Sequence, residues 1–181
     1  MNRLPAAPLL DIHDLDLRSR IAQIRLLVLD VDGVLTDGRL LYGSDGNESK
    51  SFHVRDGYGI KQVQRIGIDV AIISGRRSAA VERRAEELGI RHVILGRDDK
   101  LEALRALIAE PEAHKLHQVA CIGDDIPDLP VMRAAGIGIA VADAHVDVLT
   151  HADWRCHLGG GQGAVREFCD LLVTVQTEAR H

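Results

Sequence analysis

Short apolar runs alternate along this chain with segments whose apolar residues recur at the period of a helix. This alternation is typical of a parallel β-sheet that is covered by helices on both faces. The predicted strands are residues 26–30, 69–74, 92–95, 119–123 and 137–141. We therefore expect an α/β fold with a Rossmann-like, doubly wound parallel sheet.

The predicted helices lie between and around these strands and end at recognisable stop signals. They cover residues 57–67, 78–89, 99–110, 128–135 and 164–175, with an opening amphipathic helix near residues 15–24. Gly67 and Gly89 follow the last periodic residue of their segments, and Pro111 stops the third segment. At 181 residues the chain has the length of one ordinary domain, so we treat residues 1–181 as a single domain.

One stretch interrupts the alternation of strands and helices. The sequence "GRLLYGSDGNESKSFHV" predicts two short strands joined by a turn at Ser44, Asp45 and Gly46. This β-hairpin, at about residues 37–55, follows directly after the first predicted strand. It is interpreted either as a small flap over the end of that strand or as a surface ornament.

Composition narrows the class of protein without naming a function. Apolar residues make up 46% and charged residues 27%, which is typical of a soluble globular protein. The 22 basic and 27 acidic residues give a net charge of -5, which argues against a nucleic-acid partner. The three cysteines, Cys121, Cys156 and Cys169, lack metal-ligand spacing and are interpreted as free thiols in a reducing compartment.

The N-terminal region contains no apolar stretch long enough for a secretory leader or a membrane span. Acidic residues also interrupt it. We therefore expect a cytoplasmic protein with no membrane partner.

The chemistry-bearing residues lie where the predicted strands end, and open α/β sheets bind ligands beyond those carboxyl ends. The sequence "LLVLDVDGVLTD" ends the first strand with two acids. The residues at these ends are Asp30 and Asp32, then Ser74, Gly75 and Arg76, then Lys100 at the start of a helix, and finally Asp124 and Asp125.

Asp30 and Asp32 are two residues apart and so point to the same side of an extended chain. Close carboxylates repel one another unless a cation joins them or one carries a proton. Adding Asp124 from another strand end makes an all-oxygen cluster suited to Mg²⁺.

These residue types also match the needs of phosphoryl transfer. Asp30 is placed to attack phosphorus, and Asp32 to protonate the leaving alcohol and later to accept a proton from water. Ser74 and the amides after it would bind phosphate oxygens, and Lys100 would add positive charge.

Four segments in order resemble the motifs of the haloacid dehalogenase superfamily of phosphatases. They are "DVDGVLTD", "ISGR", "GRDDKLEAL", which contains Lys100, and "GDDIPDLPVM". The resemblance extends over about residues 26–172. It implies a nucleophile at Asp30, an acid/base at Asp32, and Mg²⁺ held by Asp30, Asp124 and the Asp32 carbonyl, with Asp125 and Asp128 as supports.

Within the superfamily, further segments resemble the phosphatases of 3-deoxy-D-manno-octulosonate 8-phosphate, which serve lipopolysaccharide precursor synthesis. These segments are "FHVRDGYGIK", "AVADAH" and "GGGQGAVREFCDLLV". The resemblance implies a small-molecule sugar-acid phosphate as substrate, a hairpin in place of a large cap domain, and a homotetramer whose subunits complete one another's active sites.

Substrate choice is expected to depend on arginines, since arginine binds carboxylates with two-pronged geometry. Arg55, Gly75 and Arg76 are the candidate substrate-binding residues. The loop 159–163 would either close over substrate or act as a hinge before the last helix. The alternatives are a phosphatase for a nine-carbon sialic-type acid 9-phosphate and, from another class, a phospho-accepting receiver or an assembly module.

Overall fold

The computed structural model describes residues 14–109 and 114–179. Within this part of the chain, one sheet contains the parallel strands β1 (Leu26–Leu29), β4 (Asp69–Ser74), β5 (His92–Leu95), β6 (Val119–Gly123), β7 (Ile137–Ala140) and β8 (Trp154–Arg155). Their order across the sheet is β5-β4-β1-β6-β7-β8. The expected parallel α/β sheet is confirmed, with β1 at its centre.

Helices cover both faces of this sheet. They are α1 (Leu15–Ala22), α2 (Val54–Arg65), α3 (Ala79–Leu88), α4 (Lys100–Leu107), α5 (Leu129–Ala134), α6 (Val146–His151) and α7 (Ala164–Glu178), with short 3₁₀ helices at Leu116–Gln118 and Ile126–Asp128. Helix α2 contacts α3, whereas α5 contacts both α4 and α6. For this strand order, the usual right-handed crossover predicts α2 and α3 on one face of the sheet and α4 to α6 on the other. Helix α7 packs against α1 and α2.

The helix ends differ from the predicted ones for local reasons. Helix α2 begins three residues before the expected start, because the ring of His53 accepts a hydrogen bond from Arg55 N (3.2 Å) and caps it. Gly89 ends α3 in the left-handed conformation, as its position predicted. The expected helix stop at Pro111 lies outside the described residues. Most of the N-terminal region, in which no secretory leader was expected, also lies outside them.

The sequence pattern predicted neither α6 nor β8. Helix α6 has only six residues, and β8 has two, so neither carries enough residues to show a period. Strand β8 is defined by its pairing with β7, and Trp154 within it packs against the ring of Phe168 with 5.7 Å between centroids. Tertiary contacts rather than local pattern therefore determine this edge of the sheet.

The core follows from the position of β1 between two helical layers. All four residues of β1 are buried, because both faces of the strand are covered. A carboxylate also links two helices here, since Asp56 of α2 accepts a hydrogen bond from Arg166 N of α7 (2.8 Å). Among the described residues, no helix has the length and apolar content needed to cross a membrane.

The stretch at about 37–55 contains an antiparallel hairpin formed by β2 (Leu41–Tyr42) and β3 (Glu48–Ser49). Its turn is closed by Gly43 N, which donates to Asn47 O (2.8 Å). Asp45 supports the turn by accepting from Asn47 N (3.0 Å). The hairpin thus leaves the sheet directly after β1 and returns the chain to the start of α2.

Candidate active site

The first strand delivers Asp30 to the carboxyl edge of the sheet. Asp30 N donates to Ile122 O (3.2 Å), so pairing with β6 continues one residue past the end of β1. The chain then turns, and both Val34 N and Thr36 N donate to the carbonyl of Val31 (3.2 and 3.0 Å). Asp30 therefore lies buried at the rim, while Asp32 follows in the turn.

Gly33 allows this turn to pass close to the end of β6. Its φ is 90°, and a Cβ at this position would lie 2.0 Å from Asp124 Oδ2. A side chain at residue 33 would therefore collide with the carboxylate that the neighbouring strand brings to the same edge. The absence of a side chain keeps the two strand ends in direct contact.

Three carboxylates meet at this edge. Oxygen atoms of Asp30, Asp124 and Asp128 all lie within 4.8 Å of one another. Lys100, the first residue of α4, places Nζ 2.9 Å from Asp30 Oδ1 and 2.7 Å from Asp128 Oδ1. The structure thus brings together residues from three separate segments that the strand-end argument had selected, together with Asp128.

The electrostatics of this cluster favour a cation. Burial raises the pKa of Asp30 to about 6, with Asp128 adding to the rise and Lys100 opposing it. Burial also raises the pKa of Asp124 to about 8, and Asp30 adds to that rise. Although burial opposes its charge, Lys100 has a pKa above its usual range because two carboxylates face it. One ammonium group does not balance three carboxylates, so a divalent ion fits here.

Asp128 organises the cluster through both of its oxygens. Oδ1 accepts from Lys100, and Oδ2 accepts from Asp124 N (3.1 Å) and Asp125 N (3.4 Å). The Asp125 side chain is exposed and instead accepts from Ile126 N (2.8 Å), where it caps a 3₁₀ helix. Asp128 therefore fixes both the lysine and the turn after β6, whereas Asp125 shapes that turn from outside.

Ser74 reaches the same edge from β4. Because Ile72 lies opposite Leu29, Ser74 stands at the level of residue 31 on the neighbouring strand. Its side chain is buried, and its Oγ accepts from Arg76 N (3.4 Å). The hydroxyl and the backbone at Gly75 and Arg76 are thus placed beside the turn that carries Asp32.

Asp32 belongs to a second group of charges that includes the hairpin. Lys50 Nζ makes a short ion pair with Asp32 Oδ1 and lies 3.0 Å from Glu48 Oε1. Arg76 pairs closely with Glu48, and its Nε lies 3.7 Å from Asp32 Oδ2. Although burial opposes the charge, Asp32 and Glu48 together raise the pKa of Lys50. The hairpin therefore contacts the rim of the site.

Sequence reasoning did not select Lys50 or Glu48. The available signal was their spacing of two in an extended strand, which puts both side chains on one face of a hairpin that begins beside Asp32.

Arg55 lies apart from both groups of charges. It is exposed in the first turn of α2 and lines a surface groove with Leu158, Arg166 and other residues, none of which belongs to the acidic cluster.

The glycine-rich loop packs behind the turn that carries Asp32. Gly161 N donates to Val34 O (2.9 Å), and Gly160 N donates to Asp143 Oδ1 (2.9 Å). A Cβ on Gly160 would lie 1.8 Å from Gly33 O. The loop is therefore pressed backbone to backbone against the segment that follows Asp32.

The sheet order, the DxD turn and the buried lysine define the class of haloacid dehalogenase-like hydrolases. Residues 93–158 match the family model described by that name. A curated protein of Yersinia pestis, 3-deoxy-D-manno-octulosonate 8-phosphate phosphatase KdsC, is 50% identical over 161 residues, covering 89% of this chain and 86% of that protein. The chain therefore belongs to the 3-deoxy-D-manno-octulosonate 8-phosphate phosphatase family, whose members are phosphoric monoester hydrolases.

Other relatives agree with this assignment. The protein of the same name from Escherichia coli strain K12 is 48% identical over 161 residues, covering 89% of this chain and 85% of that protein. A crystal structure from Moraxella catarrhalis superimposes with a TM-score of 0.88 at 44% identity, covering 92% of this chain and 95% of that one. It is described as a 3-deoxy-D-manno-octulosonate 8-phosphate phosphatase in complex with a magnesium ion, a phosphate ion and KDO.

Proposed function

We propose that this protein is a Mg²⁺-dependent phosphatase that hydrolyses 3-deoxy-D-manno-octulosonate 8-phosphate to the free sugar acid and phosphate. The observation that carries the proposal is the buried Asp30, held 2.9 Å from Lys100 and beside Asp124 at the carboxyl edge of the sheet. The substrate is proposed because relatives that are 50% and 44% identical to this chain are 3-deoxy-D-manno-octulosonate 8-phosphate phosphatases. The product would enter lipopolysaccharide precursor synthesis.

The metal would be held by the carboxylates of Asp30 and Asp124 and by the carbonyl of Asp32. The donor set is all oxygen, as Mg²⁺ requires, and the raised pKa values of Asp30 and Asp124 reflect charge that a cation would offset. Asp128 would support the site from behind, because its two oxygens already accept from Lys100 and from backbone amides. When bound, Mg²⁺ supplies positive charge to the phosphate oxygens and to the attacking carboxylate.

The residues divide the reaction into two displacements. A carboxylate oxygen of Asp30 attacks phosphorus, and the bond from phosphorus to the sugar oxygen breaks as the aspartyl-phosphate bond forms. Asp32 gives its proton to the departing sugar oxygen. Asp32 then takes a proton from water, whose oxygen attacks phosphorus, so that phosphate leaves and the Asp30 carboxylate returns.

The remaining polar groups bind the transferring phosphate. Lys100 offers a fixed ammonium group, and Ser74 offers a hydroxyl together with the amides of Gly75 and Arg76. Each of these donors lies at the edge where Asp30 is placed. They would stabilise the charge on the phosphate oxygens during both displacements.

Arg76 is the better placed of the two candidates for the carboxylate of the sugar acid. Its guanidinium already pairs with Glu48 and stands 3.7 Å from Asp32 Oδ2, so an incoming carboxylate could replace Glu48 as partner. Arg55 faces a separate groove within this chain. We keep a substrate-binding role for Arg55 as part of the proposal.

We also propose a cytoplasmic location. All three cysteines are buried free thiols, which fits a reducing compartment. Burial raises the pKa of the Cys121 and Cys169 thiols, and this keeps them unreactive.

The experiment that tests the function is a panel of phosphate monoesters assayed with Mg²⁺. The panel contains the eight-carbon and nine-carbon 2-keto sugar-acid phosphates, neutral hexose 6-phosphates and p-nitrophenyl phosphate. We expect kcat/KM for the eight-carbon acid to exceed that for every other sugar phosphate by at least about 10²-fold. Preference for the nine-carbon acid would replace the substrate, and equal rates throughout would leave a broad phosphatase.

A further inference from the structure

Lys50 is a buried cation that the mechanism above does not use. Its side chain is 1% exposed, although it belongs to a hairpin whose outer residues Leu41 and Tyr42 face solvent. An ammonium group is costly to bury unless it is paired. Its partners here are Asp32 and Glu48, so the hairpin delivers a paired charge to the residue proposed as the acid.

The pairing is asymmetric with respect to the two oxygens of Asp32. Lys50 contacts Oδ1, whereas Oδ2 has Arg76 Nε at 3.7 Å, beyond hydrogen-bond distance. Lys50 therefore holds Oδ1 in direct contact, whereas the guanidinium of Arg76 stands farther from Oδ2. The carbonyl oxygen of a protonated Asp32 can still accept from Lys50, so the contact can persist through both displacements.

Asp32 needs such a constraint because of where it lies. It follows the end of the β1 ladder and is in a turn, and its side chain is 21% exposed. Asp30, by comparison, is fixed by the strand and by Lys100. A general acid must hold its proton within hydrogen-bond reach of the departing oxygen, and a carboxyl group that rotates freely does not hold it there.

We propose that Lys50 is a positioning residue that fixes the carboxyl group of Asp32, so that Oδ2 delivers its proton to the leaving alcohol. Glu48 holds the ammonium group from the other side. This inference rests on the proposed function, because it takes Asp32 to be the acid. It assigns the hairpin a part in the chemistry of its own subunit.

The test uses leaving groups that differ in their need for a proton. Nitrophenolate departs from p-nitrophenyl phosphate without protonation, whereas the alkoxide of a hexose 6-phosphate requires it. The quantity to compare is kcat/KM, which reports the steps up to formation of the aspartyl phosphate and excludes its hydrolysis. Neither substrate carries a carboxylate, so recognition of the sugar acid does not enter.

In Lys50→Met, we expect kcat/KM for the hexose 6-phosphate to fall about 10²-fold and that for p-nitrophenyl phosphate by less than about 5-fold. Methionine keeps much of the volume of the lysine stem, which preserves the packing under the hairpin. Lys50→Gln retains a donor and should recover part of the loss. It also serves as a second variant if Lys50→Met does not fold.

Asp32→Asn is the reference variant. Asp32→Asn should lower kcat/KM for the hexose 6-phosphate far more than kcat/KM for p-nitrophenyl phosphate. Adding Lys50→Met to Asp32→Asn should lower kcat/KM little further, since both changes remove the same function, protonation of the leaving group. Asp45→Asn is the matched hairpin control, because the Asp45 side chain supports the turn through its hydrogen bonds with Asn47. It should affect both substrates equally or neither.

The outcomes separate this inference from the proposed function. An equal loss on both substrates in Lys50→Met would mean a structural role or a contact with the phosphate, and would overturn the inference. An unchanged kcat/KM for the hexose 6-phosphate in Lys50→Met would mean that Lys50 does not position the acid, and would also overturn the inference. If Asp32→Asn lacks the selective pattern, Asp32 is not the acid, and the failure lies in the proposed mechanism.

Discussion

Two aspartates separated by one residue have different surroundings in this protein. Asp30 is buried beside Lys100, Asp124 and Asp128, whereas Asp32 is partly exposed and pairs with Lys50. The difference arises because the strand ladder holds Asp30 and the chain turns after it. Identical side chains can therefore serve as nucleophile and as acid according to their environments.

Asp30→Asn is expected to lower turnover by at least about 10³-fold, since the amide is a poor nucleophile toward phosphorus. The fold should remain, because Lys100 keeps its ion pair with Asp128. Steady-state rates and a denaturant melt measure the two effects. Near-normal turnover in this variant would exclude the aspartyl-phosphate route.

The stability of the metal-free protein should fall as pH rises from about 4 to about 8. The pKa values of Asp30 and Asp124 are raised to about 6 and about 8, so the folded protein retains protons that the unfolded chain has lost. Added Mg²⁺ should reverse the fall, because it binds the ionised carboxylates. Thermal melts across this pH range, with and without Mg²⁺, measure the effect.

Asp124→Asn should remove much of that pH dependence. We expect it to stabilise the metal-free protein at pH 8 by on the order of 2 kcal/mol, or roughly 4–8 °C, and to abolish stabilisation by Mg²⁺. Asp125→Asn is the matched control, because its exposed side chain caps a 3₁₀ helix and asparagine caps equally well. An unchanged Mg²⁺ response in Asp124→Asn would contradict the metal assignment.

At the scale of elements, the turn after β1 is supported by two segments, the hairpin that follows it and the glycine-rich loop 159–163. The hairpin contacts Asp32 through Lys50, and the glycine-rich loop lies against the backbone of Gly33 and Thr36. Asp143 ties that loop in place by accepting from Gly160 N. The turn after β1 is thus held between a side-chain contact on one side and a backbone contact on the other.

Gly160→Ala is expected to destabilise the protein by more than about 3 kcal/mol and to lower activity with it. The added Cβ would lie 1.8 Å from Gly33 O, so the turn that carries Asp32 must move. Gly67→Ala is the control, because its φ is 86° but nothing lies within 4 Å of its Cβ. That variant should cost only about 1 kcal/mol, as measured by denaturant unfolding.

Local signals within the elements explain which of them the sequence pattern predicted. Helices such as α3 have a periodic apolar face and a glycine stop, and both are local signals. Helix α6 and strand β8 are too short for a period to show, and β8 forms through its pairing with β7. Their positions follow from the neighbouring strand rather than from their own residues.

For the whole molecule, strand order creates the site. The order β4-β1-β6 places three strand ends side by side at the point where the crossovers change direction. Lys100 enters from the start of α4, one crossover away. We propose that residues 1–181 form a single domain with the hairpin as a small flap.

We predict a homotetramer, as the family resemblance implies. The hairpin is too short to cover the site by itself, and its residues Leu40, Leu41 and Tyr42 are exposed apolar side chains that a neighbouring subunit could bury. Light scattering after size-exclusion chromatography should give four times the 19.8 kDa mass of one chain. A monomer at micromolar concentration would contradict this prediction.

The sequence by itself determined five of the six strands of the central sheet, the helices with clear stop signals and the set of polar residues at the strand ends. These depend on period, turn residues and side-chain chemistry, all of which are local. Only the tertiary structure decided which of those residues meet. Asp30 and Asp124 come together because β6 pairs with β1, and Lys50 reaches Asp32 because the hairpin folds back over the turn. Such contacts depend on the order of strands and the path of loops, which no local pattern specifies.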